Sequence, residues 1–208
     1  MTFDLWLAFV AASTALLLIP GPTVLLVLSY ALSQGRRVAV ASAAGVALGD
    51  LIAMSAALLG LGAIIATSAL AFTILKWVGA AYLIWLGFRM LRSAGAAPSL
   101  TDAPQTEARG IFGHAALVTA LNPKSIGFFV AFVPQFITPD AAFAPQAAVL
   151  IATFVGLAAL NVLAYALAAD AMRARLARPS VIKRLTQAGG VTLMAMGILT
   201  ATLRRGTV

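Results

Sequence analysis

Long apolar runs, separated by short polar or basic stretches, dominate the chain. They lie at about residues 5–32, 38–66, 69–91, 111–137, 146–169 and 186–203. A helix needs roughly 20 apolar residues to cross a bilayer, and these runs are close to or above that length. The pattern predicts an all-α polytopic membrane protein with six transmembrane helices in a single domain, 1–208. A connector at about 93–110, rich in Ala, Pro, Ser and Thr, separates a first half (about 1–92) from a second (about 111–208).

Helix-breaking residues interrupt two of these runs at membrane depth. The first run contains Ile19-Pro20-Gly21-Pro22-Thr23, and the fourth contains Leu121-Asn122-Pro123-Lys124. Unsatisfied backbone groups in hydrocarbon are costly, so such a break is tolerated only where it is buried in protein or lines a wet cavity. Transporters bind substrates and ions at broken helices of this kind. A proline kink that only shapes packing is the simpler alternative, and the second break argues against it.

The composition excludes a soluble domain, because 62% of the residues are hydrophobic and only 10% are charged. Soluble proteins carry about 25% charged residues. The net charge of +8 comes from basic residues at the ends of the runs, which fits anionic lipid headgroups and membrane topology and predicts no nucleic-acid partner. With no cysteine and one histidine, a zinc or copper site has little support. No serine lies in a G-x-S-x-G context. We therefore predict that the protein is not an enzyme and that it has no catalytic residue, metal or cofactor.

The basic residues also predict the orientation. If the N-terminus is outside, the inner loops hold ten basic residues and the outer side three, as the positive-inside rule requires. The first run has no positively charged segment before it, so we expect it to be retained rather than cleaved as a signal peptide. The prediction is a multi-pass protein of the bacterial inner membrane with both termini periplasmic.

The two halves share a pattern of glycines and polar residues. Gly45-x4-Asp50 is echoed by Gly156-x4-Asn161, an offset of 111 residues, and Gly79-x7-Gly87 by Gly189-x7-Gly197, an offset of 110. Pro20 is echoed by Pro123. A repeated unit of three spans must cross the membrane in the opposite sense in its second copy. The pattern predicts two inverted three-helix repeats, with broken helices one and four and a site at their interface.

Asp50 is the only acidic residue deep inside a run. A carboxylate at that depth costs about 2.5–3.5 kcal/mol on insertion scales, so a functional role is the default hypothesis. Desolvation favours its protonated form, which suits a proton carrier. The structural alternative is an acid that pairs with Lys124 or hydrogen-bonds to the first break. Lys124 in turn either binds a substrate carboxylate or neutralises Asp50.

Other residues near the breaks complete a predicted substrate and coupling pathway. Small residues let helices approach closely, and uncharged polar groups hydrogen-bond a small solute, although each polar group serves equally well as a contact between helices. Besides Asp50 and Lys124, the predicted pathway consists of Pro20, Gly21, Pro22, Thr23, Gly45, Gly49, Asn122, Pro123, Gln135, Asn161 and Tyr165. His114 is interpreted as an interfacial residue.

Several motifs occur here together. They are Pro20-Gly21-Pro22, Gly45-x3-Gly49-Asp50, Gly79-Ala80-Ala81-Tyr82-Leu83-x2-Leu86-Gly87, Asn122-Pro123-Lys124-x3-Gly127-Phe128-Phe129 and Pro134-Gln135-Phe136. In this combination the chain resembles the LysE/RhtB family of bacterial amino-acid exporters over nearly its whole length. The resemblance implies a six-helix inner-membrane carrier that exports amino acids, driven by the membrane potential or by protons or another coupling ion.

Two positions depart from the family pattern. Members often carry Asp or Asn directly after Pro-Gly-Pro, where this chain has Thr23, and many have Asp in the fifth span, where it has Asn161. With Asp50 as the sole central carboxylate, a neutral substrate such as threonine, homoserine or leucine is expected. The alternatives are a metal-cation efflux protein and a non-transporting accessory subunit. The sequence leaves homo-oligomerisation open.

Overall fold

The computed structural model describes residues 1–93, 107–138, 140–169 and 179–202, and within these ranges all regular structure is helical. Short turns of 3₁₀-helix cover Gly35–Val38 and Val133–Phe136, and a π-helical turn covers Phe128–Phe132. The α-helices are α1 (Phe3–Leu17), α2 (Pro22–Gln34), α3 (Ala39–Thr67), α4 (Ala69–Ser93), α5 (Ala108–Ala120), α6 (Pro123–Gly127), α7 (Phe143–Leu167) and α8 (Pro179–Thr202).

The predicted all-α membrane fold is confirmed, and both predicted breaks are present. Among the described residues, four helices are long and apolar enough to span a membrane without interruption, namely α3, α4, α7 and α8. Two further pairs are each long enough when taken together. The axes of α1 and α2 differ by 57°, and those of α5 and the Pro123–Phe136 segment by 40°. Counting each bent pair as one span gives six.

Helix contacts are close where glycine replaces a side chain. In the described part, α3 packs against α5 and α7, and α4 packs against α8. A Cβ atom on Gly45 would lie 2.4 Å from the carbonyl oxygen of Phe112, and one on Gly49 would lie 2.5 Å from that of Ala116. Only glycine at these two positions lets α5 approach the α3 backbone so closely.

Six buried phenylalanines fill the bundle beyond the second break. The end of α4 at Ser93 and the start of α5 at Ala108 are joined by one connection, so they lie at the same face of the bundle. The part of the fourth span that follows Pro123 runs away from that face. Its rings pack against those of α1 and α7, with centroids 4.8–6.4 Å apart. Aromatic pairs at such distances add to the energy of apolar burial. The cluster consists of Phe9, Phe128, Phe129, Phe132, Phe136 and Phe154.

Helix ends differ from the predicted runs mainly in the last span. It begins at Pro179 rather than near residue 186, because proline fits the first turn of a helix, where its missing N–H group has no intrahelical partner. The predicted connector at 93–110 is shortened, since α5 begins at Ala108, and its residues 94–106 lie outside the described ranges. The basic residues Arg173, Arg175, Arg178, Arg204 and Arg205 also lie outside them.

Candidate functional site

The first break exposes the backbone carbonyls at the end of α1. Helix hydrogen bonding stops there because Pro20 has no N–H group and Gly21 is extended. Side chains from the second half of the chain bind four successive carbonyls, of which that of Leu16 also accepts the backbone N–H group of Ile19 (3.3 Å). Lys124 Nζ donates to the oxygens of Leu16 (3.1 Å) and Ile19 (2.9 Å). Asn161 Nδ2 donates to Leu17 O (3.0 Å), and Tyr165 Oη to Leu18 O (2.9 Å).

The second break is closed mainly by one residue of its own. Asn122 Oδ1 accepts a hydrogen bond from the Lys124 backbone N–H (3.0 Å), which caps the first turn of α6. Asn122 Nδ2 donates to Thr23 Oγ1 (3.1 Å), and Thr23 Oγ1 lies 3.3 Å from Thr119 Oγ1. Asn122 therefore connects the start of α6 to the start of α2, and the two breaks lie side by side.

Asp50 lies in the middle of α3 and is almost completely buried, with 2% of its surface exposed. Its Oδ1 atom accepts no hydrogen bond. Lys124 is buried, with 8% of its surface exposed, and its ammonium hydrogen-bonds to backbone carbonyls rather than to this carboxylate. Both charged groups nevertheless line one cavity, together with the start of α2 at Gly21 and Thr23. A helix N-terminus carries partial positive charge, so the residues that line the cavity supply two positive groups and one carboxylate.

Two cavities meet at the breaks. The small cavity has a volume of about 20 Å³, against a minimum of about 10–15 Å³ for one water molecule. Its polar lining residues are Thr23, Asp50, Thr119, Asn122, Lys124, Ser125 and Asn161. The wide cavity, about 310 Å³, extends to Ser93 at the end of α4. Gly21, Asn122 and Lys124 line both, so Lys124 stands between a space of substrate size and a space of water size.

The structure brings together most of the predicted pathway. The wide cavity is lined by Pro20, Gly21, Pro22, Asn122, Pro123 and Lys124, and the small cavity receives Thr23, Asp50 and Asn161. Tyr165 lines neither cavity and binds Leu18 O at the first break. Three other predicted residues lie elsewhere. Gly45 and Gly49 face the α5 backbone, where they serve helix packing, and Gln135 is half-buried in the 3₁₀ turn Val133–Phe136.

Sequence reasoning missed three polar residues beside the second break. Thr119 and Ser125 line the small cavity, and Tyr82 Oη donates to Pro123 O (3.3 Å). Thr119 lies three residues before Asn122 and Ser125 three residues after it. Their position within three residues of the predicted break is the signal that identifies Thr119 and Ser125. His114 accepts or donates a hydrogen bond with Tyr30 Oη (2.8 Å), which joins α5 to α2.

Comparison with known proteins identifies the family. The family described as LysE type translocator matches residues 14–204. The chain belongs to the LysE-type translocator family. It is 40% identical over 205 residues to a homoserine/homoserine lactone efflux protein of Salmonella typhimurium, covering 98% of this chain and 99% of that protein. The resemblance drawn from the sequence motifs is thereby confirmed.

Further relatives of this LysE-type translocator have other names. An uncharacterized membrane protein of Vibrio cholerae is 33% identical over 98% of this chain and 100% of its own length. A leucine efflux protein of Klebsiella pneumoniae is 33% identical over 66% of this chain and 68% of its own length. No solved structure matches.

Membership of the LysE-type translocators makes this protein a membrane transport protein rather than an enzyme. Within the part of the chain that the structure describes, no group of three or more His, Cys, Asp or Glu residues is placed to hold a metal ion. The site offers instead one carboxylate, one ammonium and a set of backbone and amide groups.

Proposed function

We propose that the protein exports a small neutral amino acid, homoserine-like or leucine-like, from the cytoplasm across the bacterial inner membrane. The names of two relatives, one for homoserine and its lactone and one for leucine, support this substrate class. The volume of the wide cavity, about 310 Å³, is at the lower end of the range of roughly 300–1,000 Å³ that is usual for small-molecule sites.

The observation that carries the proposal is the charge balance at the breaks. One buried carboxylate, Asp50, and one buried ammonium, Lys124, line the same cavity. A zwitterion adds one charge of each sign and keeps that balance. A cationic or anionic side chain adds an unpaired charge in a poorly hydrated site, which is strongly unfavourable. The site therefore favours neutral amino acids over lysine-like or glutamate-like ones.

Asp50 is the proposed proton carrier. Its carboxylate faces the small cavity, and the substrate approaches through the wide cavity on the other side of Lys124. The uncapped start of α2 and the Lys124 ammonium favour a substrate carboxylate, while the carbonyls of the first break, with Asn122 and Asn161, favour its ammonium. Protonation of Asp50 from the periplasm competes with the substrate's positive charge, and this competition couples export to the proton gradient.

The architecture proposed for this transport is two inverted repeats of three spans, with both termini periplasmic. Two contacts between corresponding helices support it, α3 with α7 and α4 with α8. A Cβ on Gly87 would lie 2.4 Å from Gly190 O, so one glycine of the predicted repeat adjoins the other half. In this orientation the wide cavity opens to the cytoplasm, and lipid surrounds the apolar outer surface.

Flux in liposomes tests the proposed function. The purified protein is reconstituted into liposomes. These are assayed with a panel of radiolabelled amino acids, for counterflow and for transport driven by a pH gradient. We expect exchange of homoserine, threonine or leucine, and none of lysine or glutamate. Preferred transport of lysine, or of no amino acid in the panel, would overturn the proposal.

Cysteine labelling tests the orientation, and the chain has no cysteine of its own to interfere. A single cysteine in place of Asp140, near the predicted outer face, should react with an impermeant thiol reagent in intact spheroplasts. Cysteines at Ser93 or Pro179 should react only after the membrane is opened. Labelling of Pro179 from outside contradicts the orientation.

A further inference from the structure

The ammonium of Lys124 occupies the C-terminal end of α1 in the manner of a bound ligand. It donates to Leu16 O at 3.1 Å and Ile19 O at 2.9 Å, the usual lengths of charge-assisted N–H···O bonds. Carbonyls at a helix C-terminus carry partial negative charge and favour a cation. The two groups are 108 and 105 residues from Lys124 in the sequence, so the contact joins the two halves of the molecule.

The same carbonyls present the chemistry that recognises the ammonium of any amino acid. A primary ammonium has three N–H donors, and two of those on Lys124 are used here. We propose that the α1 carbonyl end is a primary-ammonium site, filled by Lys124 in this conformation and by the substrate ammonium in the loaded carrier. On loading, Lys124 turns to the substrate carboxylate. The proposal rests on the proposed function for the identity of the substrate as an amino acid.

The surroundings of Lys124 allow this exchange. Its Nζ atom lies 3.3 Å from the position of a Cβ on Gly21, where no side chain blocks it, and both cavities meet at this residue. When a zwitterion enters, its ammonium takes the carbonyls and its carboxylate takes the displaced lysine, so every charge keeps a partner. An amine without a carboxylate would displace the lysine without supplying the hydrogen-bond acceptor that the substrate carboxylate provides. Lys124 is therefore the residue that makes the site specific for zwitterions.

Chemical reconstruction of the side chain tests the ammonium site. In Lys124→Cys, alkylation with 2-bromoethylamine restores a primary ammonium at the same number of bonds from Cβ, and the parent chain offers no other cysteine. Alkylation with (2-bromoethyl)trimethylammonium restores the charge without N–H donors. We expect the first product to regain the thermal stability of the parent protein and its counterflow. The second should regain neither. Equal recovery with both reagents, or full stability and counterflow in the unmodified variant, would overturn the site.

Discrimination between an amino acid and its decarboxylated amine tests the exchange. The pairs are homoserine with 3-aminopropan-1-ol, and leucine with 3-methylbutylamine. In the parent protein we expect the amine to bind at least tenfold more weakly than the amino acid. In Lys124→Ala the carbonyl site is open and the carboxylate partner is gone, so that ratio should fall to near one. Lys124→Met, whose side chain extends as far as the lysine Cε position and has no donor, should bind neither.

An unchanged ratio in Lys124→Ala would overturn the exchange. The stability measurement on Lys124→Cys does not depend on transport. If the parent protein moved no amino acid, the proposed function would fail, and the recovery of stability by aminoethylation would still decide the ammonium site. The two failures are therefore distinguishable.

Discussion

The two breaks differ in how their backbone groups are satisfied. At the first, four residues separate Leu17 from Pro22, the helix axes bend by 57°, and the exposed carbonyls depend on Lys124, Asn161 and Tyr165. At the second, two residues separate α5 from α6, the bend is 40°, and Asn122 caps the new helix from within the break. The backbone carbonyls of the first break are bound by side chains that are distant in the sequence. The second break is capped by Asn122, a residue of the break itself.

This difference assigns different roles to the two breaks. Hydrogen bonds to side chains 105–147 residues away can be exchanged for bonds to a ligand without unfolding a helix. A local cap, in contrast, belongs to the helix that it begins, and losing it frays that helix. We therefore propose that the first break is the binding element and that the second is the rigid support that carries Lys124 to it. Each of the following changes separates these roles.

The largest effect is expected from Lys124→Met, which keeps an unbranched side chain as far as the Cε position and removes the ammonium. The Ile19 carbonyl then lacks its donor, and a buried unsatisfied carbonyl costs about 1–3 kcal/mol. Substrate binding should be lost altogether. Equilibrium binding and thermal unfolding in detergent measure the two effects. Retention of parent-like affinity would show that the first break does not depend on this contact.

Gly45→Ala or Gly49→Ala should weaken the support of the second break. The added methyl group meets the α5 backbone at 2.4 or 2.5 Å, so α3 and α5 must separate, and overpacking of this kind costs about 1–3 kcal/mol. Gly156→Ala is the matched control on α7, since nothing lies within 4 Å of its added Cβ. In thermal unfolding, the control variant should be as stable as the parent protein, and the other two variants should be less stable. Equal loss in all three would contradict the packing role.

Asn122→Ala and Asn122→Asp separate the two functions of this residue. Alanine removes the α6 cap, worth about 1 kcal/mol, and the hydrogen bond to Thr23. Aspartate keeps an acceptor for the Lys124 N–H group and loses only the donor to Thr23, although it also brings a charge into the site. If the cap dominates, aspartate should retain more of the parent thermal stability than alanine, while both lower transport. Greater stability of the alanine variant would indicate that the cap contributes little.

Tyr165→Phe should have the smallest effect. It removes one hydrogen bond to Leu18 O from a half-buried side chain, a contact worth about 0.5–1.5 kcal/mol. The ring and its packing remain. We expect a modest decrease in counterflow at unchanged protein abundance. Complete loss of transport would mean that the Leu18 carbonyl, rather than the pair bound by Lys124, is the centre of the site.

Much of this arrangement is predictable from the sequence because single residues determine it. Prolines and glycine stop a helix wherever they occur, so Pro20, Pro22 and Pro123 predict both breaks. A lone charge in an apolar run is costly, so Asp50 and Lys124 predict the candidate site without knowledge of the fold. Family motifs confirm the class of protein.

What the sequence does not predict is the pairing between halves. The residue that binds the Leu16 and Ile19 carbonyls depends on how the fourth span lies against the first, and no local pattern specifies that. The spacing of Gly45 and Gly49 predicts that another helix approaches α3 closely, and the structure bears this out. That the approaching helix is α5 does not follow from the sequence. The aromatic cluster likewise combines rings from three separate spans.

Asp50→Asn in proteoliposomes tests the central claim, that the buried carboxylate couples amino-acid export to protons, most directly. The amide has nearly the same shape and cannot carry the coupling proton. Counterflow without a gradient should survive, whereas accumulation driven by a pH gradient should disappear, with the protein still inserted and thermally stable. Asp4→Asn, which removes an exposed carboxylate at the start of α1, is the control and should accumulate substrate like the parent protein. If Asp50→Asn still concentrates substrate against its gradient when a proton gradient is applied, Asp50 is structural and the coupling mechanism is wrong.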